Sequence, residues 1–92
     1  MARFKVILQS QPEKYYRKVD QRIAQALEKC FMQLETDPFF NPGKVKKLQG
    51  KGGLYRYAVG GLRVIYAIDS ANHKVGVITI LPRGDIYKRI SE

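Results

Sequence analysis

Acidic residues are scarce in this sequence. Eight Asp and Glu stand against seventeen Lys and Arg, a net charge of +9 over 92 residues. Such an excess attracts polyanions and favours nucleic acid or an acidic protein as a partner. Cysteine is nearly absent: Cys30 alone can form no intrachain disulfide, no cysteine cluster offers a zinc site, and the residue reads as a small buried hydrophobe. The single histidine, His73, lies in the turn-like segment DSANH and reads as a surface turn residue, while one histidine, one cysteine and scattered acids make no metal constellation. No run of 18 apolar residues occurs, which excludes a membrane-spanning helix. The apolar run in MARFKVILQS is too short for a secretory signal and no small-residue cleavage site follows, so the chain is expected in the cytoplasm. There are no repeats, low-complexity tracts or interdomain linkers, and residues 1–92 read as one domain.

What is present divides into an N-terminal helical part and a C-terminal strand part. RFKVIL, residues 3–8, is a short β-prone run. Ser10 is placed to cap a helix over residues 11–18, with Pro12 in its first turn. Asp20 is placed to cap a second helix, in which Ile23, Ala26, Leu27, Cys30, Phe31 and Leu34 recur at spacings of three and four. That helix should end before Asp37-Pro38, because the residue before a proline avoids helical geometry. Residues 37–53, rich in Pro, Gly and Lys, read as an irregular loop anchored by Val45 and Leu48. LYRYAV and LRVIYAI, joined by Gly60-Gly61, read as a tight hairpin, and KVGVITIL as a third strand after DSANH. The fold class expected is α+β: an antiparallel sheet with an N-terminal strand, a two-helix hairpin packed on one face and a C-terminal three-stranded meander, βααβββ, with GDIYKRI closing as a short helix or tail.

The glycine pair sets the hairpin faces. With Gly60 and Gly61 in the turn, Val59 pairs with Leu62, Tyr57 with Val64 and Tyr55 with Tyr66. Those six residues share an uncharged face that must pack on the helices. Arg56, Ala58, Arg63, Ile65 and Ala67 share the other, which should stay open. In the third strand Arg83 has the parity of Val75, Val77 and Thr79, whereas Ile78 and Ile80 suit the core, so Arg83 should join Arg56 and Arg63. Three guanidinium groups on one face, flanked by Lys46, Lys47 and Lys51, suit a phosphodiester chain, since arginine grips phosphate oxygens in a bidentate fork. Tyr87, with Phe39 or Phe40, is a candidate for stacking on an unpaired base. Aliphatic cover of the sheet by arginine stems is the competing structural reading.

VKKLQGKGGLYRYAVGGLRVIYAID followed by ITILPRGDIYKR resembles the RelE/ParE superfamily of toxins from bacterial toxin–antitoxin pairs, most closely its RelE-like branch, and the order strand, two helices, meander is similar too. The resemblance implies a type II toxin neutralised by a cognate acidic antitoxin that wraps around it. RelE-type members cleave mRNA, typically in the ribosomal decoding site; ParE-type members share the fold and act on DNA gyrase. Carried over by motif position, Arg63 corresponds to a phosphate-binding arginine, Arg83 to the arginine that stabilises the transition state, and Tyr87 to the aromatic residue near the scissile bond. Arg56, Lys46, Lys47, Lys51, Lys88 and Arg89 are then RNA-binding candidates. Ala58 stands where RelE-type enzymes commonly have a second basic residue, and Gly84 where the second basic residue of a usual pair follows Arg83; Lys51 or Lys88 is a candidate to replace the cation missing at Ala58.

The mechanism so implied needs no metal or other cofactor. The RNA's 2′-hydroxyl is the nucleophile; Arg63 and Arg83 stabilise added negative charge, and Tyr87 orients or deprotonates the hydroxyl with a pKa lowered by neighbouring cations. Two alternatives stay open at this level: a gyrase-inhibiting toxin without nuclease activity, and a non-catalytic RNA-binding module.

Overall fold

Helix boundaries follow from caps and from proline. The computed structural model describes residues 3–39, 43–48 and 53–84. Helix α1 runs Ser10–Lys18 and α2 runs Gln21–Thr36. The Asp20 carboxylate accepts the Ile23 N–H at 3.0 Å, a side-chain cap of the expected kind. α2 stops at Thr36, just before Asp37-Pro38. Ser10, in contrast, does not cap α1: it is the first helical residue, and Gln9 takes the cap position without a side-chain bond. The Gln9 N–H is bonded to the Val77 carbonyl at 3.0 Å, so the chain is held in a strand ladder up to residue 9 and turns helical at once.

The strands are β1 (Lys5–Leu8), β2 (Val45–Lys47), β3 (Leu54–Val59), β4 (Leu62–Asp69) and β5 (Lys74–Pro82). They form one sheet in the order β1-β5-β4-β3-β2. β1 lies parallel to β5 and the other pairs are antiparallel, so the sheet is mixed and the class is α+β. β2 is an addition to the sequence expectation, which had an irregular loop there. Three residues, two of them lysine, carry no alternation signal; pairing with β3 makes the strand, with Val45 opposite Tyr57 and Lys46 opposite Arg56.

The hairpin register is the one that the glycines dictate, from Val59↔Leu62 to Tyr55↔Tyr66. Gly60 has φ +56° while Gly61 stays outside the left-handed region, the pattern of a II′ turn with glycine at its first central position. β5 departs from the expected parity. Ile65 pairs with Thr79 but Tyr66 pairs with Val77, which leaves Ile78 unpaired in a bulge. Val75 and Val77 therefore face the helices, not the arginines, and both are fully buried. Beyond the bulge Ile80 faces the helices as expected.

The main core lies between the helices and this sheet face: Leu27, Cys30 and Leu34 of α2 meet Tyr57, Val64, Tyr66, Val75, Val77 and Ile80. Full burial of a leucine side chain such as Leu27 or Leu34 stabilises by about 1.5–3 kcal/mol. Ala26, part of the helical stripe in the sequence, is exposed, so the buried stripe is narrower than its periodicity suggests. Burial pushes the Cys30 thiol up to about 12, consistent with a packing role. No helix among the described residues is long and apolar enough to cross a membrane.

Candidate functional site

Register alone places three arginines on one side of the sheet. Arg56 on β3 pairs with Ile65, and Arg63 on β4 pairs with Ala58, so the two arginines are diagonal neighbours on the face turned away from the helices. Arg63 also pairs with Leu81 on β5, and the Arg83 N–H continues that ladder to the Gly61 carbonyl at 3.0 Å. Arg83 is thus at the next diagonal position on the same face. Such neighbours are roughly 7–8 Å apart at the backbone, within reach of one phosphodiester for side chains as long as arginine. The line Arg56, Arg63, Arg83 descends across three strands towards the Gly60-Gly61 turn.

The face is less open than the sequence suggests. Ile65 is 1% exposed and Leu81 7%, and with Leu48 and Leu54 they form a second small cluster beside the arginine line. Ala58, half-buried, lies on the other flank. Lys46 on β2 sits directly opposite Arg56 and adds a fourth cation to this group, while Lys74, paired with Asp69, and Lys5 share the face at its far end. Lys47 pairs with Tyr55 and has the helix-side parity, so the sheet separates it from the arginines. Among the described residues, the one carboxylate that register puts on the arginine face is Asp69, at the far end. Hydrogen bonds from Asn72, the side-chain one foremost, hold it below the usual carboxylate range.

The cations differ in how they are held. Arg63 donates through Nη1 to the Gly60 carbonyl at 3.0 Å and the Leu62 carbonyl at 2.8 Å, which ties its guanidinium to the hairpin turn. Arg56 donates to the Lys44 carbonyl at 3.4 Å. Neither Arg56 nor Arg83 makes an ion pair with any described residue; the salt bridge found there joins Arg17 and Glu13 on α1. Tyr87, Lys51, Lys88, Arg89 and Phe40 lie outside the described residues.

The stacking expectation for Phe39 resolves elsewhere. Phe39 packs edge-on against Phe4 at 5.9 Å, and Phe4 meets His73 at 5.2 Å. That group lies at the Asp69–Lys74 end of the sheet, opposite the Gly60-Gly61 turn, so Phe39 is no stacking partner for a base held at the arginines. His73 is an exposed turn residue with φ +52°. Among the described residues no group of three or more His, Cys, Asp or Glu could hold a metal ion.

Sequence reasoning overlooked Gln11. Its side-chain amide bonds both main-chain groups of Ile80, at 2.9 Å and 2.8 Å, and accepts the Thr79 hydroxyl at 3.0 Å. A glutamine in the first turn of a helix directly after a strand was the available signal.

Comparison with known proteins agrees with this architecture. Residues 4–87 match the model of the ParE toxin of type II toxin–antitoxin systems. No curated protein matches the chain. The archaeal RelE–RelB complex from Pyrococcus horikoshii contains a chain that superposes with a TM-score of 0.78 at 26% identity, covering 91% of this chain and 98% of that one. The toxin–antitoxin complex RelBE2 from Mycobacterium tuberculosis gives 0.74 at 20% identity, covering 88% and 99%. The isolated E. coli RelE toxin gives 0.74 at 20% identity, covering 96% and 95%. The last two show a common fold, and the family match spans both helices and the whole sheet. The chain belongs to the ParE toxin family of type II toxin–antitoxin systems, within the RelE/ParE superfamily.

Proposed function

We propose that this toxin is an mRNA endoribonuclease that works in the ribosomal decoding site and so blocks translation. The observation that carries the reading is the diagonal of Arg56, Arg63 and Arg83 on one sheet face, with Lys46 opposite Arg56. Like charges facing each other across strands destabilise a sheet by up to about 1 kcal/mol. A phosphodiester lying along the diagonal would neutralise that repulsion with charge-assisted hydrogen bonds.

In the proposed reaction the 2′-oxygen of one nucleotide forms a bond to the adjacent phosphorus as the bond from phosphorus to the 5′-oxygen breaks. The proton leaves the 2′-hydroxyl, and another is delivered to the departing 5′-oxygen. Arg63, fixed by the turn carbonyls, holds a phosphate oxygen. Arg83 stabilises the charge that builds on the phosphorane. Guanidinium does not deprotonate near neutrality, so the base is another group, and Tyr87 is the candidate. Arg56, Lys46, Lys51, Lys88 and Arg89 would bind the flanking backbone, with Lys51 or Lys88 taking the place of the cation absent at Ala58.

A gyrase-directed activity is the second reading, favoured by the ParE description of the matching family and by the uncharged Ala58 between Arg56 and Arg63. Induced expression separates the two. Growth arrest with cuts mapped inside translated mRNA is expected, and Arg83→Ala should lower the cleavage rate by about 100–1,000-fold, the loss typical of one transition-state donor. Gyrase-linked DNA breaks with intact mRNA would overturn the nuclease reading.

We further propose an acidic, amphipathic antitoxin as the partner. The Pyrococcus and Mycobacterium relatives are toxin–antitoxin complexes, and the net charge of +9 suits such a segment. A groove of about 410 Å³ lies where β2 stops short of β3, between Val59 and α2, with Lys29 and Lys44 at its walls.

A further inference from the structure

β1 pairs with β5 as far as Leu8↔Val77, and the Gln9 N–H to Val77 carbonyl bond is its last rung. β5 runs on to Pro82, and among the described residues no strand lies on that edge beyond Val77. Gln11 occupies the place with its side chain. Its Oε1 accepts the Ile80 N–H at 2.8 Å and its Nε2 donates to the Ile80 carbonyl at 2.9 Å. The Thr79 hydroxyl adds a bond to Oε1 at 3.0 Å. One primary amide thus completes both main-chain groups of Ile80, as a residue on a neighbouring strand would.

The segment held in this way is the one that follows the bulge at Ile78. The bulge decides which face Arg83 takes. If pairing ran on from Tyr66↔Val77 without the extra residue, Ile65 would meet Ile78 and Val64 would meet Thr79. Every side chain beyond would change faces, because side chains alternate with a period of two. Arg83 would then share the parity of Val77 and point to the helix side, away from Arg56 and Arg63.

We propose that Gln11 is a positioning residue for the arginine site: by completing the edge of β5 next to the bulge, it holds the register that brings Arg83 to the face of Arg56 and Arg63. The inference rests on the reading of Arg83 as a transition-state donor. Its test compares the full-length toxin with Gln11→Met, Gln11→Glu, Arg83→Ala and the Gln11→Met/Arg83→Ala double variant, in a translating extract with a defined mRNA. Methionine keeps the length and loses all three bonds; glutamate keeps the two acceptor bonds and loses the donor, and serves as the informative variant if methionine prevents folding. Gln11→Met should lower kcat by as much as about 100-fold, the cost of a misplacement near 1 Å, while KM changes less than about twofold. Gln11→Glu should fall between it and the wild type. In the Arg83→Ala background Gln11→Met should cost nothing more, because coupled residues are not additive. Multiplied losses, or a lower melting temperature with unchanged kcat, would overturn the proposal. If the wild type cuts no RNA, or Arg83→Ala cuts as well as wild type, the reading of Arg83 fails. Hydrogen exchange then decides the role of Gln11: faster exchange of the Arg83 amide in Gln11→Met upholds the hold on the strand, and unchanged protection overturns it.

Discussion

Tyr66 combines a fully buried ring with a polar end, and the two make different demands. The ring packs at 0% exposure and stacks on Tyr55 at 5.6 Å, while the hydroxyl donates to the Pro38 carbonyl at 2.7 Å. That bond fastens the end of α2 to the sheet, so Tyr66→Phe leaves a carbonyl unsatisfied and should cost about 1–3 kcal/mol in urea unfolding. Burial pushes the Tyr66 hydroxyl above its ordinary value, as it pushes the Cys30 thiol up to about 12. Both groups therefore stay neutral in the fold at pH values where the unfolded chain ionises them. Their stabilising effect is complete below about pH 8.5, where the unfolded thiol begins to ionise, and is lost as pH rises towards 12, at about 1.4 kcal/mol per pH unit for each ionised group. Unfolding free energies measured from pH 8 to pH 10.5 should fall, and Cys30→Ala should remove the earlier part of that fall. At this scale the positions of Arg56 and Arg63 were legible, because a glycine dipeptide fixes which residues share a face. The carbonyls that hold the Arg63 guanidinium were not, since they depend on how the turn peptides point.

Turn geometry belongs to the scale of the element, and it distinguishes two glycines that look alike in the sequence. Gly60 has φ +56° and Gly61 does not, although both have open space where a Cβ would go. Gly60→Ala should therefore cost about 1–2 kcal/mol through backbone strain alone, and Gly61→Ala much less. Thermal unfolding of the two variants checks the difference; equal losses would mean that the turn is not of the II′ kind. The same hairpin was readable from its alternation, whereas β2 was not, because Val45–Lys47 has no strand signal of its own and exists through its partner β3. The bulge in β5 was also hidden. VGVITI alternates well enough in either parity, and the choice falls to packing: Val75, Val77 and Ile80 all reach the core only if Ile78 is extruded. Arg83 nevertheless arrives on the expected face, since it shares the parity of Thr79 and Leu81 after the bulge.

Closure of the sheet by β1 against β5 is a property of the whole molecule, made between residues about seventy apart in the chain, with Lys5 opposite Lys74. No local pattern announces a parallel pairing, and the expectation of an antiparallel sheet missed it, while the packing of the helices on one face followed from the apolar stripe of α2 and the uncharged face of the hairpin. Charge is the other whole-molecule property, and here the question is whether binding draws on the total of +9 or on the few cations of one face. If Arg56, Arg63, Arg83 and Lys46 each neutralise one phosphate of a single-stranded RNA, the logarithm of the binding constant should fall with the logarithm of salt at a slope near −2.8, about 0.7 for each contact. Between 50 and 200 mM salt that is a loss of about 50-fold. Arg56→Ala should reduce the slope by about 0.7. Lys18→Ala, on the exposed side of α1 beyond the core, should leave it unchanged although it removes the same charge. Fluorescence anisotropy of a labelled RNA, titrated at several salt concentrations with each variant, measures all three slopes. Equal changes for Arg56→Ala and Lys18→Ala would mean that the anion is attracted by the charge of the whole surface, and the arginine diagonal would then have no special hold on it.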